Sequence, residues 1–135
     1  MNNSTIDLTI IIPAYMEKDG IRIGFGIMGG WNQAQAHAQY VSNLVDFGMN
    51  IQAALDAPRF TKLSFGGCDV ALESRIPEAV RKQLTAMGHD VKAPAPYSGS
   101  MGRGQAVLRD RHAVNYAASD PRGDGSAVPE GPPVF

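Results

Sequence analysis

Cysteine is almost absent from this chain of 135 residues, and the single one, Cys68, excludes an internal disulfide. Histidine is also scarce. Because His37, His89 and His112 have no metal-ligand spacing with Cys68 or with a group of carboxylates, we expect no metal site, and no motif requires an organic cofactor. Cys68 stands beside alternating apolar residues, a setting typical of a small core residue rather than of a nucleophile.

The chain also lacks an excess of either charge. Its 12 Lys and Arg residues face 13 Asp and Glu residues, the net charge is −1, and no basic block is present. We therefore expect neither nucleic acid nor an anionic membrane surface as a partner. A composition of 44% hydrophobic and 19% charged residues is typical of one soluble globular domain.

Long apolar runs are missing as well, so the sequence predicts no membrane helix. The first residues do not have the pattern of a signal peptide. The residues given therefore favour the cytoplasm, although they leave the compartment of a longer parent protein open, including the periplasm.

Antiparallel strands are expected in the first part of the chain. Residues 6–12 are rich in β-branched side chains and predict a buried strand that ends at Pro13. Asp19-Gly20 stands between two apolar runs, and this pair supplies the positive φ angles of a tight hairpin turn.

Helices and short strands are expected to follow. Residues 31–47 predict a helix with one core-facing stripe, made of Ala34, Ala38, Val41, Leu44 and Val45. Asn50 is placed to cap a short helix over 51–56, which ends before Pro58. Two short strands over residues 60–73 are expected around Gly66-Gly67.

The last third predicts one more helix and a closing hairpin. Pro77 begins an amphipathic helix that Gly88 ends, with Val80, Leu84 and Met87 on its apolar face. A short strand follows at Val91, and residues 104–108 are expected to pair with 113–117. The tail 123–135 consists largely of Gly, Pro and Ser and is expected to be loose.

A glycine-rich stretch, 24–30, joins the hairpin to the long helix. Its glycines satisfy G-x-G-x-x-G, and Asp46 lies at about the distance of a ribose-binding acid, so a dinucleotide site is one interpretation. Asp46, however, falls inside the predicted helix rather than at the end of a second strand. The other interpretation is that the free N–H groups of the turn, at the positive end of a helix, bind an anion or a developing oxyanion.

Two sets of charged residues, Asp56 with Arg59 and the segment 120–122, are expected to stabilise the local structure rather than to bind substrate. Asp56 and Arg59, three positions apart near a helix end, predict a local ion pair, which would contribute little to stability if it is exposed. Asp120-Pro121-Arg122 predicts a turn in which Arg122 pairs with a carboxylate, rather than a substrate-binding element.

Several ordered segments together resemble the carboxy-terminal part of the small subunit of γ-glutamyltransferases, which are N-terminal-nucleophile hydrolases. The resemblance covers about residues 8–124, and each segment is short. Its carriers are Ile12-Pro13-Ala14, Lys18-Asp19-Gly20, Gly26-Ile27-Met28-Gly29-Gly30, Asn43-Leu44-Val45-Asp46-Phe47-Gly48-Met49, Ala54-Leu55-Asp56-Ala57-Pro58-Arg59-Phe60, Gly88-His89 and Ala118-Ser119-Asp120-Pro121-Arg122.

The resemblance implies an α+β fold that is part of an αββα sandwich, with a mostly antiparallel sheet and packing helices. Residues 1–122 would be the family region and 123–135 a tail. Gly29 and Gly30 resemble the oxyanion-hole glycines of the family. No metal or cofactor is implied.

The implied chemistry is transfer or hydrolysis of a γ-glutamyl group by way of an acyl-enzyme on an amino-terminal threonine. That threonine would lie far upstream of Leu8, and neither Thr5 nor Thr9 replaces it. Around Thr9-Ile10 the chain departs from the hydroxyl pair or the histidine found in family members, so glutamyl specificity is an open question. The 135 residues alone are therefore predicted to be inactive.

Partners follow from the same resemblance. A complete enzyme would include the large subunit, the amino-terminal part of the small subunit and a γ-glutamyl substrate. Without them the strands 6–12 and 21–26 would be left uncovered, which predicts self-association. A non-enzymatic interaction or oligomerisation module derived from the same fold is the alternative.

Overall fold

The computed structural model describes residues 14–64 and 66–128. The strand predicted over 6–12 lies outside this part of the chain. The described residues form two sheets and three α-helices, an α+β arrangement as predicted. The strands are β1 (Ala14–Lys18), β2 (Ile21–Met28), β3 (Phe60–Thr61), β4 (Asp69–Leu72), β5 (Asp90–Lys92), β6 (Arg103–Arg109) and β7 (Asn115–Ser119), and the helices are α1 (Gln33–Val45), α2 (Ile51–Asp56) and α3 (Glu78–Ala86).

The main sheet has the order β1-β2-β6-β7, and all of its neighbouring strands are antiparallel. Its first hairpin is the one predicted. Lys18 lies opposite Ile21, and Asp19 (φ 53°) and Gly20 (φ 76°) form the turn between them. Because both φ angles are positive, the twist of the turn matches the twist of the two strands.

One face of this sheet carries the hydrophobic core. Phe25 and Ile27 alternate inward along β2 and pack against Tyr40 of α1 and Leu55 of α2. The Phe25 and Tyr40 rings lie 4.7 Å apart, and the Tyr40 hydroxyl donates to the Ile51 carbonyl at 3.3 Å. The packing of the Tyr40 ring against Phe25 therefore orients α1 so that its Tyr40 face points toward the sheet.

This rotation makes the predicted stripe on α1 partly wrong. Val41 and Leu44 pack against the core, but Ala34, Ala38 and Val45 are exposed, and Ala36 is buried instead. Burying the aromatic ring removes more apolar surface from water than burying alanines, so the Ala36–Tyr40 face turns inward.

The second helix is built as the sequence predicts. The Asn50 side chain accepts a hydrogen bond from the Ala53 N–H at 2.8 Å, and α2 ends at Asp56, two residues before Pro58. The short strands β3 and β4 flank Gly66-Gly67, and β5 contains Val91. They form the three-stranded sheet β3-β4-β5.

The third helix forms where it was predicted, but none of its residues is buried. Val80 and Met87 of its apolar face are exposed, and Leu84 is only half-buried. Within the described residues, the helix contacts β5, and this contact leaves most of its apolar face exposed.

The closing hairpin is displaced by two residues on its second strand. Leu108 lies opposite Tyr116, so β7 begins at Asn115, and Ala113 and Val114 belong to the turn. The cause is Asp110, whose Oδ1 accepts the N–H groups of His112 and Val114, both at 2.9 Å, and so extends the loop.

The topology contradicts the dinucleotide interpretation. After α1 the chain enters α2 and not a second parallel strand, and the Asp46 carboxylate accepts a bond from Ser42 on the surface of α1. A βαβ unit is therefore not formed by residues 21–56. The described part of the chain also contains no helix long and apolar enough to cross a membrane.

Candidate functional site

The turn at Gly29 and Gly30 connects the end of β2 to a single 3₁₀ turn, Gly30–Asn32, which continues into α1. Gly30 has φ 56°, in the left-handed region that favours glycine. The Asn32 N–H donates to the Gly29 carbonyl at 3.1 Å, and the Gln33 N–H donates to the Gly30 carbonyl. The carbonyls of both glycines are thus used to close the turn.

The N–H groups of the two glycines remain available. Within the described residues, neither amide donates a hydrogen bond, and both glycines are exposed. A Cβ added at Gly30 would meet no atom within 4 Å, so the space beside it is open. Two successive unpaired N–H groups at the start of a helical segment can bind a negatively charged oxygen.

A cavity of about 330 Å³ lies beside the end of β2, on the sheet face opposite α1, and neither Gly29 nor Gly30 is among the residues that line it. Gly26 and Met28 of β2, Arg103 and Gln105 of β6, and residues 123–125 line it. The first described residues of the tail therefore lie over the main sheet, while the looseness of the whole tail 123–135 stays a prediction.

The structure also brings a second turn against the first one. Gly102 precedes β6 with φ 83° and ψ 163°, a combination that is essentially restricted to glycine. A Cβ at Gly102 would lie 2.7 Å from the Met28 carbonyl oxygen, and a Cβ at Gly29 would lie 3.3 Å from the Gly102 Cα. The two backbones are in direct contact.

His37 ties α1 to β2 just before the glycine turn. Its Nε2 accepts the Ile27 N–H at 2.9 Å, and its ring stands edge-on to Phe25 with centroids 5.3 Å apart. Burial lowers the pKa of His37 below its ordinary value of 6.5, because the charged form loses hydration. The neutral imidazole is the form that can accept this hydrogen bond.

Arg59 and Asp120 form a buried ion pair behind the Gly102 turn. Their Nη2 and Oδ2 atoms are 2.6 Å apart, and both side chains are almost fully buried. Arg59 does not pair with Asp56, so the predicted local pair is wrong: Asp56 accepts from Gln52 on the surface of α2, whereas Arg59 points inward beyond Pro58.

Arg122 and Glu73 form a second buried pair beside it. Arg122 Nε and Nη2 each donate to one Glu73 oxygen at 2.7 Å, and Arg122 Nη1 donates to Asp120 Oδ1 at 3.0 Å. The predicted pairing of Arg122 with a carboxylate is confirmed. Burial would raise the pKa of Glu73, but Arg122 and further hydrogen bonds outweigh it and hold that pKa below its usual range.

Glu73 is the residue of this network that sequence reasoning missed. It follows β4 as an isolated carboxylate, and the sequence carried no signal for its burial. Arg75 donates to Glu73 Oε2 at 3.0 Å and stacks on the Tyr97 ring at 3.8 Å, which closes the outer side of the network.

Cys68 is exposed, which contradicts its predicted place in a core. It lies in the loop before β4, and the alternation of apolar residues that suggested burial begins after it. No group of three or more His, Cys, Asp or Glu side chains placed to hold a metal ion occurs in residues 14–64 and 66–128.

The sequence matches the family model of Gamma-glutamyltranspeptidase over residues 7–130. It is 30% identical over 122 residues to the Glutathione hydrolase-like YwrD proenzyme of Bacillus subtilis, and 31% identical over 114 residues to the Oxamate amidohydrolase proenzyme of Klebsiella pneumoniae. These alignments cover 87% and 82% of this chain but only 23% and 22% of the relatives. The chain thus spans less than a quarter of their length.

Solved structures share the fold. The transpeptidase CapD of Bacillus anthracis superposes with a TM-score of 0.76 at 25% identity, covering 94% of this chain and 75% of that chain. Cephalosporin acylase from Bacillus halodurans superposes with a TM-score of 0.72 at 40% identity, covering 80% of this chain and 20% of that chain.

These matches confirm the predicted fold class. The antiparallel main sheet with α1 and α2 on one face is part of the αββα sandwich of N-terminal-nucleophile hydrolases. The matching family model extends over nearly the whole chain. The chain therefore belongs to the gamma-glutamyltranspeptidase family.

Proposed function

We propose that this chain supplies the oxyanion-binding part of an enzyme that transfers or hydrolyses γ-glutamyl groups, with the N–H groups of Gly29 and Gly30 as the donors. The observation that carries the proposal is the pair of adjacent amides that make no hydrogen bond within the described residues. They lie at the start of a helical segment, where the helix dipole favours negative charge.

In the proposed reaction the hydroxyl of the amino-terminal threonine gives its proton to the α-amine of the same residue, and its oxygen attacks the carbonyl carbon of a γ-glutamyl amide. The electron pair of the C=O bond moves to oxygen, and this oxyanion accepts the N–H groups of Gly29 and Gly30. When the C=O bond re-forms, the C–N bond breaks and the amine leaves with a proton from the base. Water or an acceptor amine then attacks the acyl-enzyme in the same way, which releases the threonine.

The relatives support a reaction at an acyl group. They are named as a glutathione hydrolase-like protein, an amidohydrolase and an acylase. A γ-glutamyl amide is the narrower proposal for this chain. The non-enzymatic module is not favoured, because the matched curated relatives are proenzymes.

The threonine and its amine base belong to a segment that these 135 residues do not include. We propose that the large subunit and the amino-terminal part of the small subunit cover the open face of the main sheet. An exposed row across this face supports the proposal, since Tyr15, Gly24, Val107 and Ala117 lie side by side on the four strands and the side chains of Tyr15 and Val107 are exposed. Where that partner is missing, we propose that a second copy of the chain takes its place.

Activity of the 135 residues alone is the first test. A preparation of this polypeptide should release no product from a γ-glutamyl anilide, because nucleophile and base act as one unit and their loss removes most of the acceleration. Turnover within about tenfold of an ordinary enzyme, ~10 per second, would contradict the proposal.

The oxyanion role is tested in the complex with the missing segments. Gly29→Val should lower kcat by roughly 10² to 10³, because its Cβ would lie 3.3 Å from the Gly102 Cα and the new side chain would shift the Gly29 N–H out of line with the oxyanion. Gly66→Ala is the control, because a Cβ there meets nothing within 4 Å. If Gly29→Val left kcat at the level of this control, the glycines would serve packing alone.

A further inference from the structure

The peptide that leads into the glycine turn rests on the backbone of Gly102. A Cβ at Gly102 would stand 2.7 Å from the Met28 carbonyl oxygen and 2.9 Å from Ile27 Cγ2, which shows how closely the two segments approach. The Met28 carbonyl belongs to the same peptide plane as the Gly29 N–H. A shift of Gly102 is therefore transmitted directly to the Gly29 amide.

Arg59 holds Gly102 in this position from the opposite side. Its Nη1 donates to the carbonyls of Gly102 at 3.0 Å and Met101 at 3.3 Å, and its Nη2 donates to the Leu55 carbonyl at 3.2 Å. One buried guanidinium thus joins the end of α2 to the turn that supports the glycines. Arg59 is only 2% exposed, so water does not compete for these bonds.

Asp120 fixes the guanidinium and the same turn together. Its Oδ2 accepts Arg59 Nη2 at 2.6 Å and the Gly104 N–H at 2.9 Å. In the segment 101–104, Arg59 therefore binds the carbonyls of Met101 and Gly102, and Asp120 binds the Gly104 N–H. Such charge-assisted bonds are stronger than neutral ones.

We propose that Arg59 is a positioning residue for the oxyanion site, acting through Met101 and Gly102 on the Met28–Gly29 peptide. The inference rests on the proposed role of the Gly29 and Gly30 amides. Arg59 itself does not touch the reacting atoms. Its contribution is to keep the amide donors within the narrow range of positions that the transition state requires, since a misplacement of about 1 Å costs roughly 10²-fold in rate.

Lysine cannot replace Arg59 in this role. The planar guanidinium reaches three carbonyls and one carboxylate at once, whereas an ammonium has three donors on a single nitrogen and lacks the fork geometry. Arg59→Lys keeps the buried charge that Asp120 needs but releases part of the turn. It separates the positioning effect from the loss of the ion pair.

The first measurement is the amide spectrum of the ¹⁵N-labelled 135-residue chain. In Arg59→Lys the signals of Gly29, Gly30 and Gly102 should shift, and hydrogen exchange should speed up at the Gly102 N–H, which donates to the Gly99 carbonyl. Tyr40→Phe is the control, because it removes a buried hydrogen bond to the Ile51 carbonyl and does not touch residues 101–104. Unchanged Gly29 and Gly30 signals in a folded Arg59→Lys chain would overturn the proposal.

Asp120→Asn is the second variant in case Arg59→Lys does not fold, and the same signals should move. In the complex with the missing segments, Arg59→Lys should lower kcat by roughly 10²-fold and leave KM unchanged. A rise in KM with kcat intact would also overturn the positioning role. If the amide signals move but Gly29→Val leaves kcat intact, the coupling stands and the proposed oxyanion function fails.

Discussion

Glu73 and Arg122 lie 49 positions apart in the chain and form a two-point ion pair in which both side chains are fully buried. The Arg122 guanidinium also donates to the carbonyls of Leu55 and Ala57, both at 2.8 Å. The end of α2, the end of β4 and the segment after β7 are therefore joined by one pair of opposite charges.

Glu73→Gln should destabilise the fold by about 3 kcal/mol or more, because it removes one of the two carboxylates that compensate the buried Arg122 charge and leaves Asp120 to pair with both Arg59 and Arg122. Glu17→Gln is the control, since the Glu17–Arg22 pair is exposed and solvent screening should make its contribution to stability small. Denaturant unfolding measures both. A loss no larger than that of the control would show that the buried pair is not a major source of stability.

Gly102→Ala should be severely destabilising, by more than about 3 kcal/mol, because the backbone conformation is nearly specific to glycine and the new methyl would overlap the Met28 carbonyl oxygen. Gly48→Ala separates the two causes. Gly48 also has a positive φ, 63°, but no atom lies within 4 Å of a Cβ there, so its cost should be about 1–2 kcal/mol. Equal losses in the two variants would contradict the close approach of Gly102 and Met28.

The free energy of unfolding should fall when the pH decreases from about 7.5 to about 5.5. The pKa of His37 is lowered in the folded state, so below 6.5 the unfolded chain binds a proton that the folded chain resists. Protonation would also remove the acceptor of the Ile27 N–H. His37→Gln should flatten this pH dependence, and thermal unfolding at several pH values measures it. An equally steep dependence in the variant would assign the effect to other groups.

Self-association should depend on the open face of the main sheet. Val107 is 53% exposed there, in a row with Tyr15 and Ala117, so a lysine at this position should keep copies apart without disturbing the core. Light scattering should show a dimer or larger species for the chain and a monomer for Val107→Lys. A stable monomer of the unaltered chain at micromolar concentration would contradict the prediction, and Val80→Lys on α3 controls for added charge.

Local structure was predictable wherever a single residue dictates the backbone. Asp19-Gly20 determines the first hairpin, Asn50 caps α2, and Pro77 and Gly88 delimit α3, because each acts through bonds and angles within a few residues. The family followed from several such segments in order.

Packing direction was not predictable in the same way. The stripe on α1 was partly wrong because the Tyr40 ring, rather than the alanines, faces Phe25. The predicted Asp56–Arg59 pair was wrong because closeness in sequence does not make two side chains point the same way. Asp56 lies on the surface of α2, whereas the Arg59 side chain is buried against Asp120. The buried face of α1 and the partner of Arg59 both depend on side chains from other elements. The spacing of residues within one helix or loop does not reveal those side chains.

Local residue patterns are sufficient to predict the order of the elements, the glycine turn and the family to which the chain belongs. Folding is required to bring Arg59 to Asp120, Glu73 to Arg122, and Gly102 to the peptide before Gly29. A buried charge needs an opposite charge close by, and these partners come from distant parts of the sequence, while the backbone contact at Gly102 forms only when β2 and β6 are paired.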